Sequence, residues 1–383
     1  MKGRYDGRVR GSVIFILVSA CASLPPTAPS DPISLRWLGE SDGLSDYQAL
    51  SGFQWALSDL GAVPVDAAIR WDSEGGRVEV DPAGLGVEWY ALETLAEATA
   101  ELAASGEAEA NGGVDLGRWL TRTLYDPLRY YTITGACRQF SSWTQRLAGA
   151  AAFGVTESLS FDSDRLITFL PDPVTADDVR YAIGEGQGSL AEGTFVAEDY
   201  ETVDILPNGQ MRYAIYDGAG ALAPLAASIP AGQPGKCMWC HEAGLMHAPE
   251  QLGTGVSWSL LEQTVRKGDD LIRAQRRSVG GPVDYENWVE VHEFAEALVE
   301  GFLHPAPARV AAEWGESEAS VRALGLETHD VSEFGWTERY ARADVDAVAP
   351  YSVVPVPADV RDAPPADDVV PERLGAGCPE ESR

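Results

Sequence analysis

The sequence predicts an α+β protein, with a helical N-terminal part, a small antiparallel sheet and a helical C-terminal part. Three observations carry that expectation. Apolar residues at helical spacing dominate both ends of the chain, and short β-branched and aromatic runs cluster between residues 155 and 217. The two kinds of segment are grouped rather than alternating, which argues against a βαβ order. The 383 residues, 45% of them apolar, are ample for a large core and exclude global disorder.

Residues 1–20 read as a targeting segment. Lys2, Arg4, Arg8 and Arg10 form a basic head, and "GSVIFILVSA" is an apolar stretch too short to span a bilayer as a mature helix. The run ends Val18-Ser19-Ala20-Cys21, which resembles a bacterial lipobox. The resemblance implies that Cys21 is lipidated and becomes the N-terminus of an exported protein. Ala22 after it favours sorting to the outer membrane. Residues 21–32 are rich in Pro, Ser and Ala, as expected of a lipid-anchored tether.

Residues 33–150 form the mainly helical domain. "LSDYQALSGFQWALSDLG" has Ser45 as N-cap and Gly61 as stop, and "AAIRWDSEGGRVEVDP" reads as a hairpin. "EWYALETLAEATAELAASGEAEA" is an amphipathic helix. "VDLGRWLTRTLYDPLRYYTITG" is helical to about Tyr125, where Asp126-Pro127 should break it. Its aromatic residues, Trp119, Tyr125, Tyr130 and Tyr131, fit a packed helix corner better than a pocket.

Residues 151–348 hold the sheet, a Cys-containing segment and further helices. Asn208-Gly209 marks a hairpin within the strand region. A Gly/Pro/Ala-rich loop leads to Lys236-Cys237, after which "SWSLLEQTVRKGDDLIRAQRRS", "DYENWVEVHEFAEALVEGFL" and "PAPARVAAEWG" show helical spacing. Residues 349–383 are a Pro- and Asp-rich tail expected to wrap the surface or stay extended.

The formal charge is −31, and only three lysines occur, Lys2, Lys236 and Lys267. Such a body repels nucleic acid and anionic lipid surfaces. The natural protein partner has a basic face, and salt should weaken that encounter.

Cys237-Met238-Trp239-Cys240-His241 concentrates the metal chemistry. A redox dithiol would follow a strand in a βαβ domain, whereas here a long loop precedes the pair. Zinc would take Cys237, Cys240 and His247, but no second Cys pair supplies a fourth ligand. A covalent haem needs two thiols three residues apart for its vinyl groups and an imidazole next in sequence for its iron. In Cys237, Cys240 and His241 the chain resembles the c-type cytochromes. The resemblance spans five residues and implies haem c with His241 as proximal ligand, which suits the export signal. Cys137 and Cys378 then remain, able to form one disulfide in an oxidising compartment.

No methionine follows Met246, so the distal Met of small electron-carrying cytochromes has no counterpart there. His292, His304 and His329 lie downstream and Met211 upstream, with His292 the favoured distal ligand because a packed helix could fix its ring. Alternatively the iron keeps an open face, and the β segment before the motif loosely resembles the high-spin monohaem oxidases. Gly-x-Ser-x-Gly, P-loop and dinucleotide motifs are absent from the sequence. The expected function is one-electron transfer by an exported monohaem lipoprotein with a redox partner protein. The alternatives are a haem oxidoreductase or small-ligand sensor, and a non-haem surface scaffold whose Cys pair binds zinc or closes a disulfide.

Overall fold

The computed structural model describes residues 31–39, 43–155, 164–226, 232–241, 244–245, 253–357, 373–378 and 381. The targeting segment, Cys21, the tether as far as residue 30, Met246 and His247 lie outside the described residues. The fold is α+β.

The N-terminal part runs β1 (Ile33–Arg36), α1 (Asp46–Asp59), β2 (Ile69–Asp72), β3 (Arg77–Val80), α2 (Trp89–Ala103), α3 (Gly106–Asn111), β4 (Val114–Asp115), α4 (Leu116–Leu124), α5 (Pro127–Thr134) and α6 (Phe140–Thr144). Local chemistry sets most of these boundaries. The Ser45 hydroxyl accepts from the Gln48 amide while the Gln48 side chain accepts from the Ser45 amide, a reciprocal cap that starts α1. Asp126 caps α5 and Pro127 occupies its first turn, so the break foreseen there separates α4 from α5. The long helix expected over residues 88–110 is instead two, because the Ser105 hydroxyl accepts from the Ala108 amide and restarts the chain as α3. The part is also less purely helical than its composition suggests. β1 and β4 join the foreseen hairpin in a four-stranded sheet ordered β2-β3-β1-β4. In it Ile33 opposes Val80 and Leu35 opposes Val78, all four buried.

The second sheet contains β5 (Ala151–Val155), β6 (Arg165–Phe169), β7 (Tyr181–Gln187), β8 (Val196–Ile205) and β9 (Met211–Asp217) as an antiparallel meander. After β9 comes α7 (Pro234–His241), and then β10 (Gly253–Gly255) returns to pair with β5. β9 is an edge strand, and tyrosines of α5 cover part of its open side. The Tyr130 hydroxyl accepts from the Tyr213 amide, and the Tyr131 hydroxyl accepts from the Ile215 amide.

The remainder is α8 (Trp258–Val279), α9 (Trp288–Leu303), α10 (Pro307–Trp314), α11 (Glu318–Arg322), the hairpin β11 (His329–Val331) and β12 (Trp336–Arg339), and α12 (Arg342–Ala347). The β11–β12 hairpin was not foreseen. α9 is buried along most of its length and packs on α1 and α4. At the α1–α9 crossing, a Cβ on Gly52 would come within 2.6 Å of the Phe294 carbonyl carbon, so only glycine permits this approach. One continuous core therefore joins the N-terminal helices, the six-stranded sheet and α9.

The tail wraps the body. The Ser352 carbonyl accepts from the Glu107 amide, the Val354 carbonyl accepts from Arg118, and Cys378 is disulfide-bonded to Cys137.

Candidate functional site

Helix α7 carries the Cys-x-x-Cys-His segment and packs against β9. Helical spacing sets positions 237, 240 and 241 along one side of it. Gly235 lets its first turn lie flat on Tyr125, since a Cβ there would fall 2.4 Å from the Tyr125 Cδ1. Met238 is buried, while Cys237 and Trp239 are half-buried. Trp239 meets Phe334 edge-on at 6.0 Å, and Phe334 stacks on Trp336 at 4.4 Å, so the unforeseen hairpin region flanks the motif.

The inner surroundings of α7 are phenolic. The His241 ring lies 5.7 Å from that of Tyr213. Tyr130, Tyr131 and Tyr213 are all close enough to Cys237 to feel its charge, and burial, the larger cause, pushes all three phenols above their ordinary range. They stay neutral hydroxyls near neutral pH. Burial pushes the His241 imidazole down to about 4, so the ring is neutral, the form in which a nitrogen lone pair can bind a metal. Its Nδ1 is buried with no hydrogen-bond partner. A buried ring nitrogen left unpaired costs about 1–3 kcal/mol, which marks this imidazole as one whose surroundings expect a further group. The donor set and the protonation state fit a covalent haem c, held by Cys237 and Cys240 with His241 toward the iron.

His292 sits elsewhere in the core. Its ring lies 5.9 Å from Trp55, its Nε2 is 3.1 Å from a Glu296 carboxylate oxygen, and burial followed by nearby Arg276 pushes it down to about 4. It belongs to a polar junction of α1, α8 and α9. There Arg276 donates to the Gly209 carbonyl and the Gln210 side chain, and Gln210 donates to Ser58. His304 and His329 pair with one another, Nδ1 to Nε2 at 2.9 Å, and His304 Nε2 lies 3.2 Å from Glu300. Met211 is nearer the motif, because its sulfur accepts from the hydroxyl of the same Tyr213 that faces His241. Period-two spacing in "MRYAIYD" put Met211 and Tyr213 on one face of a strand, but nothing local aimed that face at α7.

The same junction predicts a pH dependence. Burial, opposed by Arg276, pushes the Asp59 carboxyl up to about 8. Native Asp59 then keeps a proton that the unfolded chain releases near its ordinary value of about 3.9. The associated stability is present below about pH 4 and falls by about 1.4 kcal/mol per unit as pH rises toward 8. Urea titrations at stepped pH should show that decline in the native sequence and a shallower one in Asp59→Asn. An equally steep decline in the variant would assign it to other acids, such as Glu201.

No protein-family profile, curated protein or solved structure matches this chain.

Proposed function

We propose that the chain is an exported, lipid-anchored monohaem c-type protein that passes single electrons to or from a partner with a basic face. The observation that carries this reading is the neutral His241, its Nδ1 buried and unpaired, on the helix that also bears Cys237 and Cys240. When bound, haem c would supply a one-electron iron couple. The chain's own residues attach and shield that group. Cys237 and Cys240 would hold it by thioethers, and His241 would ligate from the same helix turn. Buried Met238 and the neutral phenols of Tyr130, Tyr131 and Tyr213 keep the inner surroundings of α7 largely dry. Cys21 would tether the body to the membrane, and the net charge of −31 would steer a basic partner toward it.

A second reading, an oxidoreductase or small-ligand sensor with an open sixth position, gains support from the downstream histidines. His292 is engaged by Trp55 and Glu296, and His304 by His329. The remaining alternative is a scaffold without haem.

The test is to mature the chain alongside a haem c assembly system and record spectra before and after denaturing extraction. A Soret band that stays with the polypeptide, and is lost in the Cys237→Ala/Cys240→Ala double variant, is expected. Sharp reduced bands unmoved by carbon monoxide would favour the carrier, and a broad spectrum that shifts with it would favour the open-face reading. A colourless product, with a known c-type cytochrome matured in parallel coming out red, would overturn both.

A further inference from the structure

A cleft of about 460 Å³ opens away from α7, where the loops after α1 and before α2 meet the end of α5 and the β8–β9 turn. Three arginines line it, Arg146, Arg180 and Arg212. Three guanidinium groups in one cleft stand out on a chain with net charge −31.

The carboxylates facing them are Asp204, Asp177 and Glu88. Asp204 is buried, and its oxygens accept from Trp143, Arg180 and twice from Arg212. Arg212 also donates to the carbonyls of Thr134 and Gly135, and Arg180 donates to the carbonyl of Asp177. Asp177 and Glu88 are exposed at the rim, where water and salt screen them. In the interior of the cleft, one carboxylate therefore opposes three positive charges. Burial and then crowding by Arg146 and Arg212 lower the Arg180 pKa, against the opposing pull of Asp204. An added negative charge would relieve that crowding.

We propose that this cleft binds a small oxyanion, a phosphate or carboxylate group, held by Arg146 and Arg180 over the fixed Arg212–Asp204 pair. Guanidinium groups match such anions because their N–H pairs fit two oxygens at once. Tyr90 adds a phenolic hydroxyl to the lining, and Gly377, beside the Cys137–Cys378 bridge, closes one wall. The proposal rests on these residues alone and is independent of haem.

The experiment is calorimetric titration of the whole chain with inorganic phosphate, and separately with acetate, against sodium chloride at matched ionic strength. Saturable binding of phosphate or acetate, weakened at least tenfold in Arg146→Gln and further in Arg146→Gln/Arg180→Gln, is expected. The relative affinities of the two anions then identify the preferred class. Arg146→Gln leaves the Asp204 pairs intact, so the single variant keeps the test valid if the double variant misfolds. Heats reproduced by chloride, no binding of either anion, or unchanged affinity in Arg146→Gln would overturn the proposal.

Discussion

Replacing Arg342 by methionine should cost about 3–5 kcal/mol of folding stability, the usual penalty for removing one partner of a buried ion pair. Arg342 is 1% exposed and donates through both terminal nitrogens to Glu313, at 2.8 Å each, and through Nε to the Phe302 carbonyl. Its guanidinium lies 4.0 Å from the centre of the Phe302 ring, which Arg118 and Arg309 also approach, at 5.0 and 5.6 Å. Facing these three cations are Glu107, Asp115, Glu313 and Asp346. Burial, then the neighbouring Glu313 and Glu107, push Asp115 up to about 7, so near neutrality this acid is partly protonated and the layer approaches charge balance. Burial alone would raise Glu313, yet Arg342 and then Arg309 hold it at about 2. In Arg342→Met, Glu313 keeps only Arg309 among its close pairs, and the Phe302 carbonyl loses its side-chain donor. Urea unfolding should show the loss, and adding Glu313→Leu should recover part of it by removing the stranded charge. A loss below about 1 kcal/mol in the single variant would mean that the layer carries little net stability.

Cutting the Cys137–Cys378 bridge should cost about 2–5 kcal/mol. The cysteines are 241 residues apart in sequence, and closing so long a loop removes much of the unfolded chain's entropy. The bridge is not the tail's sole anchor. Arg373 pairs with Glu93 and Glu97 of α2, and the Glu381 carboxylate accepts from the Arg138 and Gln139 amides. The folded tail should therefore stay docked in Cys378→Ser, with the loss expressed in the unfolding midpoint. Reductant should lower the midpoint of the native sequence to that of the variant and leave the variant unchanged. A native midpoint insensitive to reductant, with the bridge verified as broken by thiol labelling, would show that the remaining anchors suffice.

The elements legible in the sequence are those whose signals act within a few residues. Ser45 with Gln48, Asp126-Pro127 and Asn208-Gly209 each fix a boundary through a cap, a missing N–H or a turn preference. The elements missed are short ones that exist through distant partners. Val114-Asp115 becomes a strand because β1 lies beside it, and Gly253–Gly255 because β5 does. Ser105 was absorbed into a long amphipathic pattern, although its hydroxyl starts a new helix.

For the candidate site the division is similar. The sequence by itself determined the α+β class, the grouping of strands between two helical parts, and the three-and-four-residue spacing that sets positions 237, 240 and 241 along one side of α7. Those features depend on covalent geometry and hydrogen bonds within one or two turns. Only the tertiary structure decided that Tyr130, Tyr131 and Tyr213 surround Cys237, and that His241 is buried and neutral. It alone set His292 against Trp55, and brought Cys137 within 4.9 Å of Cys378, Cα to Cα. Each of those outcomes is a choice among many long-range pairings, and the packing of the whole core selects it.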